Sequence, residues 1–273
     1  MIVIKTIKEL QEFLETSSRN IGLVPTMGAL HDGHVSLIKK CVSENEVSIV
    51  SIFVNPAQFL PEEDFDKYPK KEEADIKICE MLGVSVVFMP NKNEMYFENE
   101  PLIKAPEHLS TILEGKTRPG HFDGVLRVLN KFFNLIKPKN AYFGKKDTQQ
   151  LIIVQNMVKS FFMGINIIPC DIIRANDGLA LSSRNTYLND DELCMALKLS
   201  RSLVKATNLI QQGELNSQNI KTQMLQILEP LKVDYVAITD KNLAEVQKIE
   251  LGNTIILVAV YIGQTRLIDN IWL

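Results

Sequence analysis

The chain has 273 residues, 45% of them hydrophobic and 23% charged, with a net charge of −3. That balance belongs to a globular protein with a real core, long enough for one large or two ordinary domains. A slight acidic excess argues against a broad basic face for nucleic acid or an anionic membrane, so basic residues are read singly, as ligands for a small anion.

Met1-Ile2-Val3-Ile4-Lys5 runs into a charged amphipathic segment and lacks the hydrophobic core of a secretory signal. The longest apolar run, 255–262, is far short of the ~20 residues a membrane helix needs. Cys41, Cys79, Cys170 and Cys194 are too scattered for a disulfide framework and are read as small buried hydrophobes. The expectation is a cytoplasmic protein.

In chain order, Ile7, Leu10, Phe13 and Leu14 recur at helical spacing, so 6–16 predict a surface helix. Residues 21–24 predict a strand, 33–43 a helix, and 47–54 (VSIVSIFV) a strand buried on both faces of a parallel sheet. A charged helix over 70–82 and a short strand over 84–88 follow. This alternation points to a parallel α/β sheet. Residues 90–119 show no clear periodicity. Val125, Leu126, Leu129, Phe132, Phe133 and Ile136 predict a strong helix, followed by a strand at 141–143, a helix at 149–162 and a strand at 165–168. Beyond about residue 175 come helices at 190–212 and 215–229, then strands at 233–238 and 254–262. That is a second, smaller α+β domain. The boundary is expected near the turn signal Asn176-Asp177-Gly178, giving domains of 1–174 and 175–273.

Val24-Pro25-Thr26-Met27-Gly28-Ala29-Leu30-His31-Asp32-Gly33-His34 lies between the strand at 21–24 and the apolar-periodic run Val35, Leu37, Ile38, Val42. It reads as a strand, a glycine turn and a helix start, where unpaired N–H groups and the helix dipole favour a phosphate. His31 and His34, three apart, share one face. The competing readings are histidines that merely cap or pack, and a zinc pair, for which the remaining His108 and His121 supply no clear third ligand.

Three more polar stretches fall where parallel strands end, at the ligand crevice of such folds. Asn55-Pro56-Ala57-Gln58-Phe59 offers amide groups to a small polar substrate, or is a plain turn. Phe143-Gly144-Lys145-Lys146-Asp147, followed by Gln149 and Gln150, sets two lysines at a helix start, unfavourable unless an anion sits there. Leu181-Ser182-Ser183-Arg184-Asn185 makes a compact anion loop beyond the proposed boundary. Arg118-Pro119-Gly120-His121-Phe122 adds another Arg and His. The set contains donors and cations, with no nucleophile–base pair. It suits a polyphosphate held and neutralised as charge moves between oxygens.

Along essentially its whole length the chain resembles the pantoate–β-alanine ligases. The motifs that carry this are PTMGALHDGH at 25–34, SIFVNPAQF at 51–59, RPGHFDGV at 118–125, YFGKKDTQQL at 142–151, DGLALSSRN at 177–185 and TRLIDN at 265–270. The resemblance implies a Rossmann-like parallel-sheet domain, a C-terminal α+β lid, a cytoplasmic homodimer, and a two-step reaction. ATP and pantoate give pantoyl adenylate and pyrophosphate; the amine of β-alanine then gives pantothenate and AMP.

Carried over by motif, Met27, Gly28, Ala29, Leu30, His31, Asp32, Gly33 and His34 would bind ATP, with His34 the proton donor and His31 a phosphate ligand. Gly144, Lys145, Lys146 and Asp147 would bind the nucleotide, Lys146 on phosphate and Asp147 on ribose, and Ile173 would meet adenine through its backbone. Leu181, Ser182, Ser183 and Arg184 would grip the triphosphate. Gln58 and Gln150 would hold pantoate, Gln58 also β-alanine, with Pro25, Asn55, Tyr68 and Arg118 lining that site. His31, His34, Lys146 and Arg184 are the expected catalytic group, and Mg2+ would ride on ATP without a dedicated protein ligand. Lys145 departs from the glutamate usual at its position, reversing the charge beside Lys146 and predicting altered ATP or magnesium affinity. An alternative is a nucleotidyltransferase that leaves the nucleotide on its product.

Overall fold

Six short stretches of the chain pair side by side, all parallel, in the computed structural model, which describes residues 1–17, 20–60, 65 and 68–273. They are β1 (Ile2–Ile4), β2 (Ile21–Thr26), β3 (Val47–Ile52), β4 (Val86–Phe88), β5 (Asn140–Gly144) and β6 (Asn166–Cys170), in the order β1-β4-β3-β2-β5-β6. Around them run α1 (Ile7–Glu15), α2 (Asp32–Glu44), α3 (Glu72–Met81), α4 (Lys92–Met95), α5 (Glu107–Ser110), α6 (Leu113–Thr117), α7 (His121–Ile136) and α8 (Thr148–Ser160). The chain divides into two units: Met1–Gly144 with Gln149–Cys170, and Lys145–Thr148 with Asp171–Leu273.

In the first unit, β2 and β3 carry almost uninterrupted buried residues, as strands covered on both faces must. β3 and β4 lie to one side of β2, β5 and β6 to the other. The order therefore reverses between β2 and β5, and the crevice beyond the carboxyl ends of such a pair is where α/β sheets receive ligands. α7 is the most buried helix of this unit. Its buried positions include Val125, Leu126, Leu129, Phe132, Phe133 and Ile136, the periodic set visible in the sequence, and Phe122 joins them from the first turn.

The second unit stacks α9 (Asp190–Gln211) and α10 (Ser217–Leu228) on an antiparallel sheet of β7 (Lys232–Asp240), β8 (Thr254–Ile262) and β9 (Thr265–Trp272), in that order. Asn189 and Glu192 close a reciprocal capping box at the start of α9. Leu199, Leu203 and Ala206 of α9 pack with Ile256, Val258 and Val260 of the central strand to form the core.

The expected parallel α/β architecture with a smaller α+β part is the one observed. The differences have local causes. β1 is three residues on the sheet edge, too short for a period. β9 reads TRLIDNIW, and its buried Asp269 and Asn270 break the apolar alternation that would have marked a strand. The stretch without periodicity, 90–119, holds three helices of four or five residues, each shorter than two turns. Cys41, Cys79 and Cys170 are buried as expected, but Cys194 is exposed, because it falls on the outward stripe of α9. Among the described residues, no helix is long and apolar enough to cross a membrane.

Candidate active site

The first unit places the histidine turn at the carboxyl end of β2. The Thr26 hydroxyl donates to the Ser51 carbonyl (2.7 Å) and accepts the Gly28 N–H (3.2 Å). Gly28 (φ 84°) and Ala29 (φ 52°) then both enter the left-handed region. Glycine does this freely; for Ala29 it costs on the order of 1 kcal/mol. The next two amides, of Ala29 and Leu30, each donate at 2.8 Å to the carboxylate of Asp75 from α3. Burial raises the pKa of Asp75, and these two N–H bonds and the Lys71 ammonium oppose that rise.

His31 is the N-cap of α2. Its Nδ1 accepts the Gly33 N–H (3.1 Å), and Nδ1 of His34 accepts the His31 N–H (3.4 Å). The ring centroids stand 4.2 Å apart. A nitrogen that accepts carries no proton, so each neutral ring carries its proton on Nε2. Two helix-start amides expected to face a phosphate are thus occupied by imidazole. Capping fixes the tautomer in which Nε2–H is the donor.

The turn after β3 is built on Asn55, which is fully buried. Its Nδ2 donates to Gln58 Oε1 and to the Gly124 carbonyl, both at 3.0 Å. Its Oδ1 accepts the Ala57 N–H (3.2 Å) and the Tyr96 hydroxyl. With Oε1 so engaged, Gln58 turns its Nε2 donors away from Asn55, one towards Met27 Sδ at 3.0 Å. The residue therefore offers hydrogens, which suit a hydroxyl or carboxylate oxygen. α7 lies so close to this turn that a Cβ on Gly124 would run into the Ala57 carbonyl. His121, buried in the first turn of α7, donates from Nδ1 to the Gln58 carbonyl (2.7 Å). Its Nε2, 3.1 Å from Arg118 Nη1, then accepts from the guanidinium.

Tyr68 is buried with its ring edge-on to Phe59, 5.9 Å between centroids. Glu100, held by Arg127 and by Lys131 Nζ at 2.6 Å, braces the segment around Tyr96, whose ring lies 4.6 Å from the Arg127 guanidinium carbon. Pro25 and Gln150 are half-buried. Gln149, fully enclosed, joins the Ile112 carbonyl (3.0 Å) and the Glu114 N–H (2.9 Å).

In the second unit Lys145–Asp147 form one 3-10 turn. Asn270 of β9 donates to the carbonyls of Lys145 (3.0 Å) and Lys146 (2.9 Å), and the Thr148 hydroxyl also donates to Lys145 (2.6 Å). Trp272 Nε1 donates to Thr148 Oγ1 (3.3 Å). Lys145 pairs with Asp171 at 2.6 Å. Ile173 and Leu181 are joined by the Leu181 N–H to the Ile173 carbonyl (3.1 Å). Arg174 makes a two-pronged pair with the buried Asp269 (2.6 and 2.9 Å). Ser182 caps the 3-10 turn Ser183–Tyr187, its Oγ accepting the Arg184 N–H (3.3 Å). Lys146, Ser182, Ser183 and Arg184 are half-buried, and Asp147 is exposed.

Sequence reading gave no role to Asp75, Tyr96, Arg174, Asp269 or Asn270. TRLIDN was visible as a motif, and its Asp269 and Asn270 prove to hold Arg174 and the Lys145–Lys146 turn. Asp75 carried no signal, since it sits in a charged helical stretch that reads as a solvated face.

A parallel α/β sheet with donor-bearing turns at the carboxyl ends of β2 and β3 places the chain among the open α/β folds that receive ligands at that edge. Comparison with known proteins narrows this. The family model described as pantoate-beta-alanine ligase matches residues 2–272. The pantothenate synthetase of Campylobacter concisus is 69% identical over 273 residues, and that of Helicobacter pylori 48% over 275, each alignment covering 100% of both chains. The crystal structure of pantothenate synthetase from Thermus thermophilus has a TM-score of 0.95 and 36% identity, covering 99% of each chain. That of the Francisella tularensis ligase, complexed with beta-gamma ATP and beta-alanine, has a TM-score of 0.83 and 38% identity, over 100% of this chain and 97% of that one. The chain belongs to the pantoate–β-alanine ligase family. It is an enzyme, a ligase that joins pantoate to β-alanine.

Proposed function

We propose that the ligation uses ATP and runs through a pantoyl adenylate. A pantoate carboxylate oxygen attacks the α-phosphorus, and the bond to pyrophosphate breaks. The β-alanine amine then attacks the acyl carbon, loses a proton, and AMP departs. A free carboxylate is a poor electrophile; adenylation supplies the leaving group. The Francisella relative, solved with a β,γ-ATP ligand and β-alanine, supports both substrates for this chain.

The observation that carries the reading is the pair of Nδ1-capped imidazoles at the end of β2. They present Nε2–H donors without needing a positive ring. In this account His31 and His34 meet the phosphates, His34 as proton donor, and Lys146, Ser182, Ser183 and Arg184 neutralise the triphosphate. Asp147 takes the ribose, and the Ile173 backbone the adenine. Gln58 and Gln150 hold pantoate, Gln58 through its amide hydrogens, with Pro25, Asn55, Tyr68 and Arg118 around it. Magnesium would screen the triphosphate charge and, in this reading, would come with ATP on the phosphate oxygens. The same reading makes 1–174 the nucleotide- and pantoate-binding domain, 175–273 a lid, and the enzyme a cytoplasmic homodimer.

The test omits the second substrate. With ATP, magnesium and pantoate alone, the enzyme should release pyrophosphate and hold pantoyl adenylate; adding β-alanine should give pantothenate and AMP. ADP and phosphate, or a product that keeps the nucleotide, would overturn the proposal.

A further inference from the structure

Asp75 is a buried charge that the ligation chemistry does not use. It is 2% exposed, on α3, and its two oxygens are engaged separately: Oδ2 by the Ala29 N–H and Oδ1 by the Leu30 N–H. A buried carboxylate is expensive unless its lone pairs are met, and a neutral side chain would pack there more cheaply. What the carboxylate does that others cannot is accept from two consecutive amides at once, with charge-assisted strength.

The first of those amides belongs to the left-handed pair Gly28–Ala29 and the second follows it directly; for Ala29 such a conformation persists only when its surroundings over-determine it. They immediately precede His31, whose own N–H is held by His34. The chain of constraint is short: Asp75 to the Ala29 and Leu30 amides, these to the backbone of His31, and His31 to both rings. Gly28 is enclosed by the same contact, since a Cβ there would lie 2.9 Å from Asp75 Oδ2.

We propose that Asp75 is a positioning residue for the adenylation step, fixing the backbone from which His31 and His34 reach the ATP phosphates. This rests on the reading of those histidines as phosphate ligands. A misplacement of ~1 Å at a reacting centre is worth about 10²-fold. Asp75→Ala, which releases both amides, should therefore lower kcat/KM for ATP by about that factor. Asp75→Asn, which keeps one oxygen acceptor, should lower it about tenfold. KM for pantoate should stay within about twofold in both, because Asn55, Gln58 and Gly124 hold one another without Asp75. Hydrogen exchange should speed up in a peptide covering 27–36 and stay unchanged in α7.

The proposal is overturned if either variant, folded, keeps the wild-type kcat/KM for ATP, or if both substrates' KM values rise together with no local change in exchange. Should the Asp75 variants fail to fold, Gly28→Ala presses on the same contact from the other side. It should show the same selective loss towards ATP, and wild-type kinetics there would also overturn the proposal. His34→Ala separates the two levels. Slowed adenylation in His34→Ala beside wild-type Asp75 variants removes this inference alone, whereas a wild-type His34→Ala removes the phosphate reading and this inference with it.

Discussion

His31 and His34 use one ring nitrogen each to cap α2, and that structural duty decides the chemistry left to the other. Removing one preorganised donor from a charge-stabilising site costs about 10²–10³-fold in the best-studied enzymes. His34→Ala and Lys146→Ala should each slow adenylation by at least that order while leaving thermal unfolding within a few degrees of wild type; single-turnover rates check this. Lys145 is a separate matter. Its ammonium pairs with Asp171, which is itself mostly exposed, so the pair adds little stability. Its effect is electrostatic. Lys145→Glu should shift KM for ATP or the magnesium dependence, and an unchanged titration of both would show that the charge at this position is irrelevant.

At the scale of elements, α7 is clamped onto the turn after β3. Gly124→Ala must push the helix off the Ala57 carbonyl, and overpacking of this kind costs about 1–3 kcal/mol. The expected result is a lower Tm together with a higher KM for pantoate, since the same shift stretches the bond from Asn55 to Gly124 that sets Gln58. The Glu100 cluster ties α7 to the segment carrying Tyr96. Burial pushes the Glu100 pKa up, but bonds from Lys131, the Phe97 N–H and Arg127 outweigh it, and the net shift is downward. A carboxylate whose folded pKa is lowered stabilises the protein above its ordinary value near 4.5 and loses that contribution as pH falls through the folded value. Glu100→Gln should thus cost about 1–3 kcal/mol at pH 7 and progressively less below pH 4.5. Equal losses at pH 7 and pH 3, measured by chemical denaturation, would contradict it.

Elements were legible where one period runs long enough. α2, α7, β3 and β8 could be read because their apolar residues recur over several turns or fill both faces. β9 could not, since Asp269 and Asn270 are both buried, holding Arg174 and the lysine turn, and buried polar residues look like surface in a sequence. The loops that carry donors were legible as motifs; the groups that hold those loops were not. Asp75 belongs to Lys-Glu-Glu-Ala-Asp, a run typical of a solvated helix face, and only the fold reveals that one of its carboxylates is buried.

For the whole molecule, the family match spans residues 2–272, so the fold class and the ligation are properties of the complete stretch. The burial of Cys41, Cys79 and Cys170 gives a global check on the native state. Burial pushes the Cys41 and Cys79 thiols up to about 12, and Cys194 alone of the four is exposed. A thiol reagent near pH 7.5 should titrate one group quickly in the native enzyme and four after denaturation; two or more fast thiols would mean that the core around α2 and α3 is open. If pantoate is activated by adenylation, one of its carboxylate oxygens must leave with AMP. The measurement uses pantoate labelled with 18O in the carboxylate, incubated with ATP, magnesium and β-alanine. One labelled oxygen should appear in the phosphate of the AMP released, carried there through the acyl–phosphate bond. AMP that gains no label from pantoate would contradict it.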